Sequence, residues 1–154
     1  MTGGEIKTAA EVEEAHALPS AHVVLADPAA PKTAEQQPLP SKVARKPVAD
    51  KSPAEWAYER LLLYVKNFEE QLDDSHEVAM GFTGGEAGVL RIEGIGYFAP
   101  DIVTFYGTDE VGSRTQLIQH VSQLNVMLRA LPREPDRAAP TRIGFRLAAD
   151  LEGR

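Results

Sequence analysis

The chain has 154 residues, 43% of them hydrophobic and 25% charged, which fits one ordinary domain or a smaller domain with a tail. Acidic residues outnumber basic ones 23 to 16, and the net charge of −7 argues against a grip on nucleic-acid phosphates or an anionic membrane surface. The absence of cysteine excludes disulfides, thiol catalysis and zinc-thiolate sites and suits a reducing, cytoplasmic setting. No apolar run approaches the ~18 residues needed to cross a bilayer. The first 30 residues have no basic start followed by an apolar block, so no secretory signal is expected.

The N-terminal third reads as a tail. All ten aromatics lie at or after Trp56, and residues 1–51 hold six prolines and eleven alanines. Such a segment buries too little apolar area to offset its ordering entropy. Residues 1–51 are therefore expected to be mostly disordered, residues 52–149 to form a compact domain, and residues 150–154 to be a C-terminal end. Inside the tail, Thr8 and Glu11 have capping-box spacing before a helix-forming run to Leu18. His22 to Leu25 is a short apolar island between prolines.

From Ser52 onward the patterns sharpen. Ser52, Pro53 and Glu55 supply a capping hydroxyl, a first-turn proline and a reciprocal carboxylate. Ala57, Leu61, Tyr64, Phe68 and Leu72 then recur at steps of three and four, widened by Trp56, Leu62 and Val65. This spacing predicts an amphipathic helix to about Asp73, with Glu59, Lys66, Glu69 and Glu70 on its polar side. Val78, Met80 and Phe82 alternate with smaller or polar residues, as do Leu90 and Ile92, which predicts two strands around a Gly84-Gly85 turn. Gly94, Gly96 and Pro100 are expected to break the chain around Tyr97-Phe98. Asp101 to Gly107 and Arg114 to Val121 make a third and a fourth strand, joined by a polar loop closed by Gly112. Ser122 caps an expected second helix with Leu124, Met127, Leu128 and Leu131 on one face, ended by Pro132. Ile143, Phe145 and Leu147 alternate as an expected fifth strand. The expected fold is α+β: a small, mainly antiparallel sheet of five strands in the order helix-β-β-β-β-helix-β, with two helices on one face.

Three stretches carry a resemblance: SPAEWAYERLLLYVKNFEEQLDDSHEV (52–78), IGYFAPDIVTFYG (95–107) and QLIQHVSQLNVMLRAL (116–131). Together they resemble a small bacterial domain family of unknown function, over about residues 52–131. The resemblance implies a bacterial domain with a boundary near Ser52. It brings no activity, cofactor or catalytic residue.

Four constellations bear on chemistry. Asp73, Asp74, His76 and Glu77 crowd three carboxylates and an imidazole into five residues, but without calcium-loop spacing, and they read as a solvated helix exit. Gln116, Gln119 and His120 lie on a strand whose two sides are both mixed, as on an edge strand; their amides suit reading a peptide backbone. Tyr97, Phe98, Asp101 and Tyr106 sit on a glycine-rich bend, where aromatics line either a pocket or a core corner. Trp56 and Arg60 open the long helix and form either an interface anchor or a packed cover. Gly94-Ile-Gly96 lacks the third glycine of a dinucleotide fingerprint, and neither GxSxG nor HExxH occurs.

No catalytic residue, metal or cofactor is assigned on this evidence. The expectation is a non-enzymatic protein-interaction module on a flexible tether. The contact residues would come from Trp56, Arg60, Tyr97, Asp101, Tyr106, Gln116, Gln119 and His120. The partner is expected to be protein rather than membrane, with nucleic acid disfavoured by charge. The alternative is a small-ligand or enzymatic pocket built by Tyr97, Asp101, Tyr106 and His120. An RNA-binding sheet would need Arg91, Arg114, Arg142 and Arg146 to align as a basic strip.

Overall fold

The computed structural model describes residues 21–82, 88–135, 140 and 142–153. Its helices are α1 (Ser41–Arg45), α2 (Pro53–Glu70) and α3 (Gly144–Gly153). Its strands are β1 (His76–Phe82), β2 (Val89–Phe98), β3 (Ile102–Thr108), β4 (Arg114–His120) and β5 (Val126–Pro132). The expected helix near residues 8–18 and the Gly84-Gly85 turn lie outside the described residues.

The longest helix starts where its cap says it should. Ser52 Oγ accepts the Glu55 N–H at 3.2 Å, and Pro53 is the first helical residue. Its start is tied to the sheet through Ala54 N–H, which donates to Pro100 O at 2.9 Å. The buried stripe, however, is turned relative to the expected one. Ala54, Tyr58, Leu62 and Val65 are buried, while Tyr64 is 42% exposed. Glu55, Glu59 and Glu69 lie on the buried side as well. Each of these carboxylates meets a donor there, which is what makes its burial tolerable. Lys46 Nζ reaches Glu55 at 2.9 Å, Lys51 Nζ reaches Glu59 at 2.9 Å, and Glu69 accepts backbone N–H groups at the start of α3.

The first two of those donors belong to the stretch expected to be a loose tail. Residues 1–20 lie outside the described residues. Residues 39–51 pack on the domain: Val43 is only 3% exposed, Leu39 lies against the core, and Lys51 is buried with its Nζ donating to Val43 O at 2.6 Å. Further back, Gln71 Nε2 donates to Lys32 O at 3.0 Å, and the Tyr64 hydroxyl donates to Glu35. The packed unit thus begins before Ser52. One buried valine and one buried lysine give no compositional signal, which is why the sequence passes over them.

The sheet is five-stranded and wholly antiparallel, in the order β4-β3-β2-β1-β5. The expected class is therefore the observed one. The last two elements differ in place. Residues 126–132 are a strand paired along its length with β1, and the expected helix shrinks to a 3-10 turn at Val121–Gln123. Leu, Met and Ala favour a helix intrinsically, but pairing with β1 and burial of Val126 and Leu128 against the core override that preference. In turn, the expected fifth strand is the start of α3. Ile143, Leu147 and Leu151 recur at steps of four and are buried. β2 also runs through Gly94 and Gly96 rather than breaking there, with a bulge between Ile92 and Gly94.

Alternation sorts the two faces of the sheet. Val78, Met80, Ile92, Ile95, Val103 and Phe105 turn toward α2 and form the core with Leu62, Val65 and Val43. Phe82 and Phe105 meet edge to face at 5.0 Å. α3 packs beside α2 and against α1, so the helices gather on one side of the sheet.

Candidate functional site

The other face of the sheet carries no helix among the described residues. Register pairs arrange it in rows across β2, β3 and β4: Phe98-Ile102-His120, then Gly96-Thr104-Ile118, then Gly94-Tyr106-Gln116. Phe98 is 75% exposed, Ile118 61% and Tyr106 43%. Tyr106 lies over the glycines: a Cβ at Gly94 would stand 3.5 Å from its Cδ2, and one at Gly96 would stand 3.8 Å from its Cε2. The missing side chains are what let the ring lie down on the strand. Nine neighbouring positions thus contain two aromatics, two isoleucines and no carboxylate.

A further row closes this patch. Arg114, Thr108, Arg91, Ala79 and Arg129 stand opposite one another across all five strands. Arg91 is held in place: its Nε meets Glu134 at 2.9 Å, its Nη1 meets the buried Glu77 at 3.4 Å, and its Nη2 donates to Pro132 O at 3.1 Å. The four-arginine strip does not form. Arg142 instead donates to His76 O at 2.7 Å and to Asp73 O at 2.9 Å, and Arg146 is on α3.

At the other end of the patch, His120 Nε2 lies 3.1 Å from Asp101 Oδ2, and Nδ1 lies 2.8 Å from Ser122 Oγ. A carboxylate, an imidazole and a hydroxyl in line invite a catalytic reading. The backbone competes for the same nitrogen. Ser122 N–H donates to Nδ1 at 3.1 Å, so the one lone pair that would take the hydroxyl proton is shared with an amide, while Nε2 carries the proton toward Asp101. Gln123 Oε1 accepts the His120 N–H at 2.9 Å, completing a cap on the 3-10 turn. His120 and Asp101 side chains are 47% and 42% exposed, so no cleft excludes water from them.

The remaining expected residues divide by face. Tyr106, Gln116 and His120 share the open face, and Asp101 joins them through His120. Tyr97 and Gln119 flank Val103 on the helix side, where the Tyr97 ring meets Tyr58 at 5.0 Å. Tyr97 and Tyr106 therefore cannot line one pocket, and the four residues of the expected pocket do not converge. Trp56 lies on α2 with the Arg60 guanidinium 3.8 Å from its ring centre and Lys51 Nζ at 4.7 Å. Burial pulls the Arg60 pKa below its ordinary value, and Arg60 lines a groove of about 410 Å³ with Leu39, Glu35 and Tyr64. The acidic cluster also separates. Asp73 bonds His76 Nδ1 at 2.7 Å and the Ser75 hydroxyl at 2.8 Å, whereas Glu77 turns to Arg91. The His76 and Ser75 donors hold Asp73 down at about 2.

Sequence reasoning missed Ile118, Met127 and Arg129 on the open face. Alternation along β4 places Ile118 with His120, but only the position of the helices tells which side of the strand is open.

Residues 48–146 match the model of DUF6173, a family of unknown function, and the chain belongs to that family. No curated protein and no solved structure matches it.

Proposed function

We propose that this family member is a non-enzymatic protein-interaction module that works in the bacterial cytoplasm, with its alanine- and proline-rich N-terminal stretch as a tether. The observation that carries the reading is the open face of the sheet. Phe98, Ile118 and Tyr106 stand exposed on a patch that runs to the strand at the edge of the sheet, β4. Exposed aromatic surface beside an available edge suits a partner that adds a strand and lays side chains on the face.

Affinity capture with the wild-type chain and with Ile118→Pro tests this reading. Ile118→Pro should lose specific partners that the wild type retains. Equal capture by both chains, or no capture by either, refutes it.

A further inference from the structure

We infer that β4 pairs antiparallel with β4 of a second copy of this chain, about a two-fold axis at Leu117. The inference rests on the reading of β4 as a contact edge and names its partner.

The hydrogen bonds at the end of β4 fix which groups face outward. Val121 N–H donates to Asp101 O at 2.8 Å, inward to the β3 side, whereas His120 N–H turns away to Gln123 Oε1. In an antiparallel ladder the N–H and C=O of one residue point the same way and alternate along the strand. Gln119, Leu117 and Thr115 are therefore bonded to β3. Arg114, Gln116 and Ile118 offer their N–H and C=O groups outward.

Edge strands are commonly guarded by lysine, proline or a bulge. β4 has none of these in its seven residues, and its register with β3 is unbroken from Ile102–His120 to Thr108–Arg114. The opposite edge differs. Arg133 N–H donates to Ser75 O at 2.9 Å, so the same alternation makes Pro132 an outward position of β5, without a donor.

Outward residues must meet outward residues, which permits only every second register. The register that uses all seven residues pairs Gln116 with Ile118 of the second copy, and the reverse by symmetry. Leu117 then faces Leu117, both partly exposed. Arg114 faces His120 of the second copy, whose ring leans on Asp101, so a guanidinium arrives beside a carboxylate. Thr115 faces Gln119 of the second copy. Gln119 Oε1 is buried and has no hydrogen-bond partner among the described residues, and the Thr115 hydroxyl opposite, which donates to Ser113 O at 3.0 Å within one chain, would turn from that carbonyl to reach it. Two sheets joined this way make one of ten strands, with the two Tyr106-Ile118 patches continuous across the join.

Sedimentation of the full chain over a concentration series tests the inference. The wild type should move from monomer to dimer. Gln116→Pro removes an outward N–H without touching a bond to β3, and should weaken the dimer about tenfold or more, with a melting temperature equal to the wild type's at concentrations where both are monomeric. Ile118→Lys supplies an edge charge and should do the same, which covers the case of a misfolded proline variant. Leu117→Cys gives an independent reading in a chain without cysteine. Opposed positions of the non-hydrogen-bonded kind have Cα atoms about 4.5 Å apart, within disulfide reach, so this variant should cross-link on oxidation and Thr115→Cys should not. A wild type that stays monomeric throughout overturns self-pairing, and the capture experiment then judges the wider reading by itself. A dimer that survives both edge variants and yields no Leu117→Cys cross-link also overturns it.

Discussion

Val43 offers the sharpest test of where the folded unit begins. It sits in a stretch that by composition should contribute nothing, yet it is 3% exposed and belongs to the core with Leu62, Leu147 and Leu151. Val43→Ala removes two buried methyl groups, worth about 1.6 kcal/mol at ~0.8 each. Incomplete collapse of the cavity raises the expected loss to about 1.5–3 kcal/mol. For a domain of this size that is a fall in melting temperature of about 5–12 °C. Thermal melts of the full chain and the variant at one pH and salt concentration measure it. A chain shortened to begin at Lys51 should fall further, because it also loses Leu39 and the Lys46 partner of Glu55. The Lys46 pair adds little, since its lysine is 44% exposed. Coincident melts for wild type and Val43→Ala would refute the packing argument and return the boundary to Ser52.

Other outcomes follow from single contacts. Glu69 accepts the N–H groups of Ile143 at 3.2 Å and Gly144 at 2.6 Å, capping α3, so Glu69→Ala should cost about 0.5–2 kcal/mol in urea unfolding. Gly144→Ala should also destabilise, because its Cβ would stand 2.6 Å from Glu69 Oε1. Asp73 should titrate at about 2 by carbon NMR, against an ordinary 3.8, and His76→Ala should move it upward. A lowered folded pKa means that its contribution to stability is present above the ordinary value and lost as pH falls through about 2. The Tyr64 hydroxyl, bonded to Glu35, should ionise above its ordinary 10 and return toward it in Glu35→Gln, read by ultraviolet absorbance.

Local chemistry was legible where it acts locally. Ser52 and Pro53 mark the true start of α2, and alternation finds β1, β3 and β4. What was not legible depends on neighbours. Leu128 and Leu131 fit a helix stripe as well as a strand, and only pairing with β1 decides. Ile143 and Leu147 fit two periods at once, and the deciding residue, Leu151, lies beyond the expected domain end. Glu59 and Glu69 look solvated because their donors, Lys51 and the α3 amides, come from other parts of the chain. Tyr106, Gln116 and His120 could be named as contact residues, but their common face could not be separated from that of Tyr97, because the bulge before Gly94 shifts the alternation.

The Glu69 cap has a consequence for synthesis. The carboxylate is on a helix finished by residue 70, yet its two amide donors lie at 143 and 144. Leu147 and Leu151, which cover the same side as Val43, emerge later still. A growing chain therefore carries an unmatched buried acid and an uncovered apolar flank while the whole sheet is being made. Emergence of α3 from the ribosome is the step that closes the core, so translation stalled before Ile143 should leave a protease-sensitive domain even with all five strands in hand.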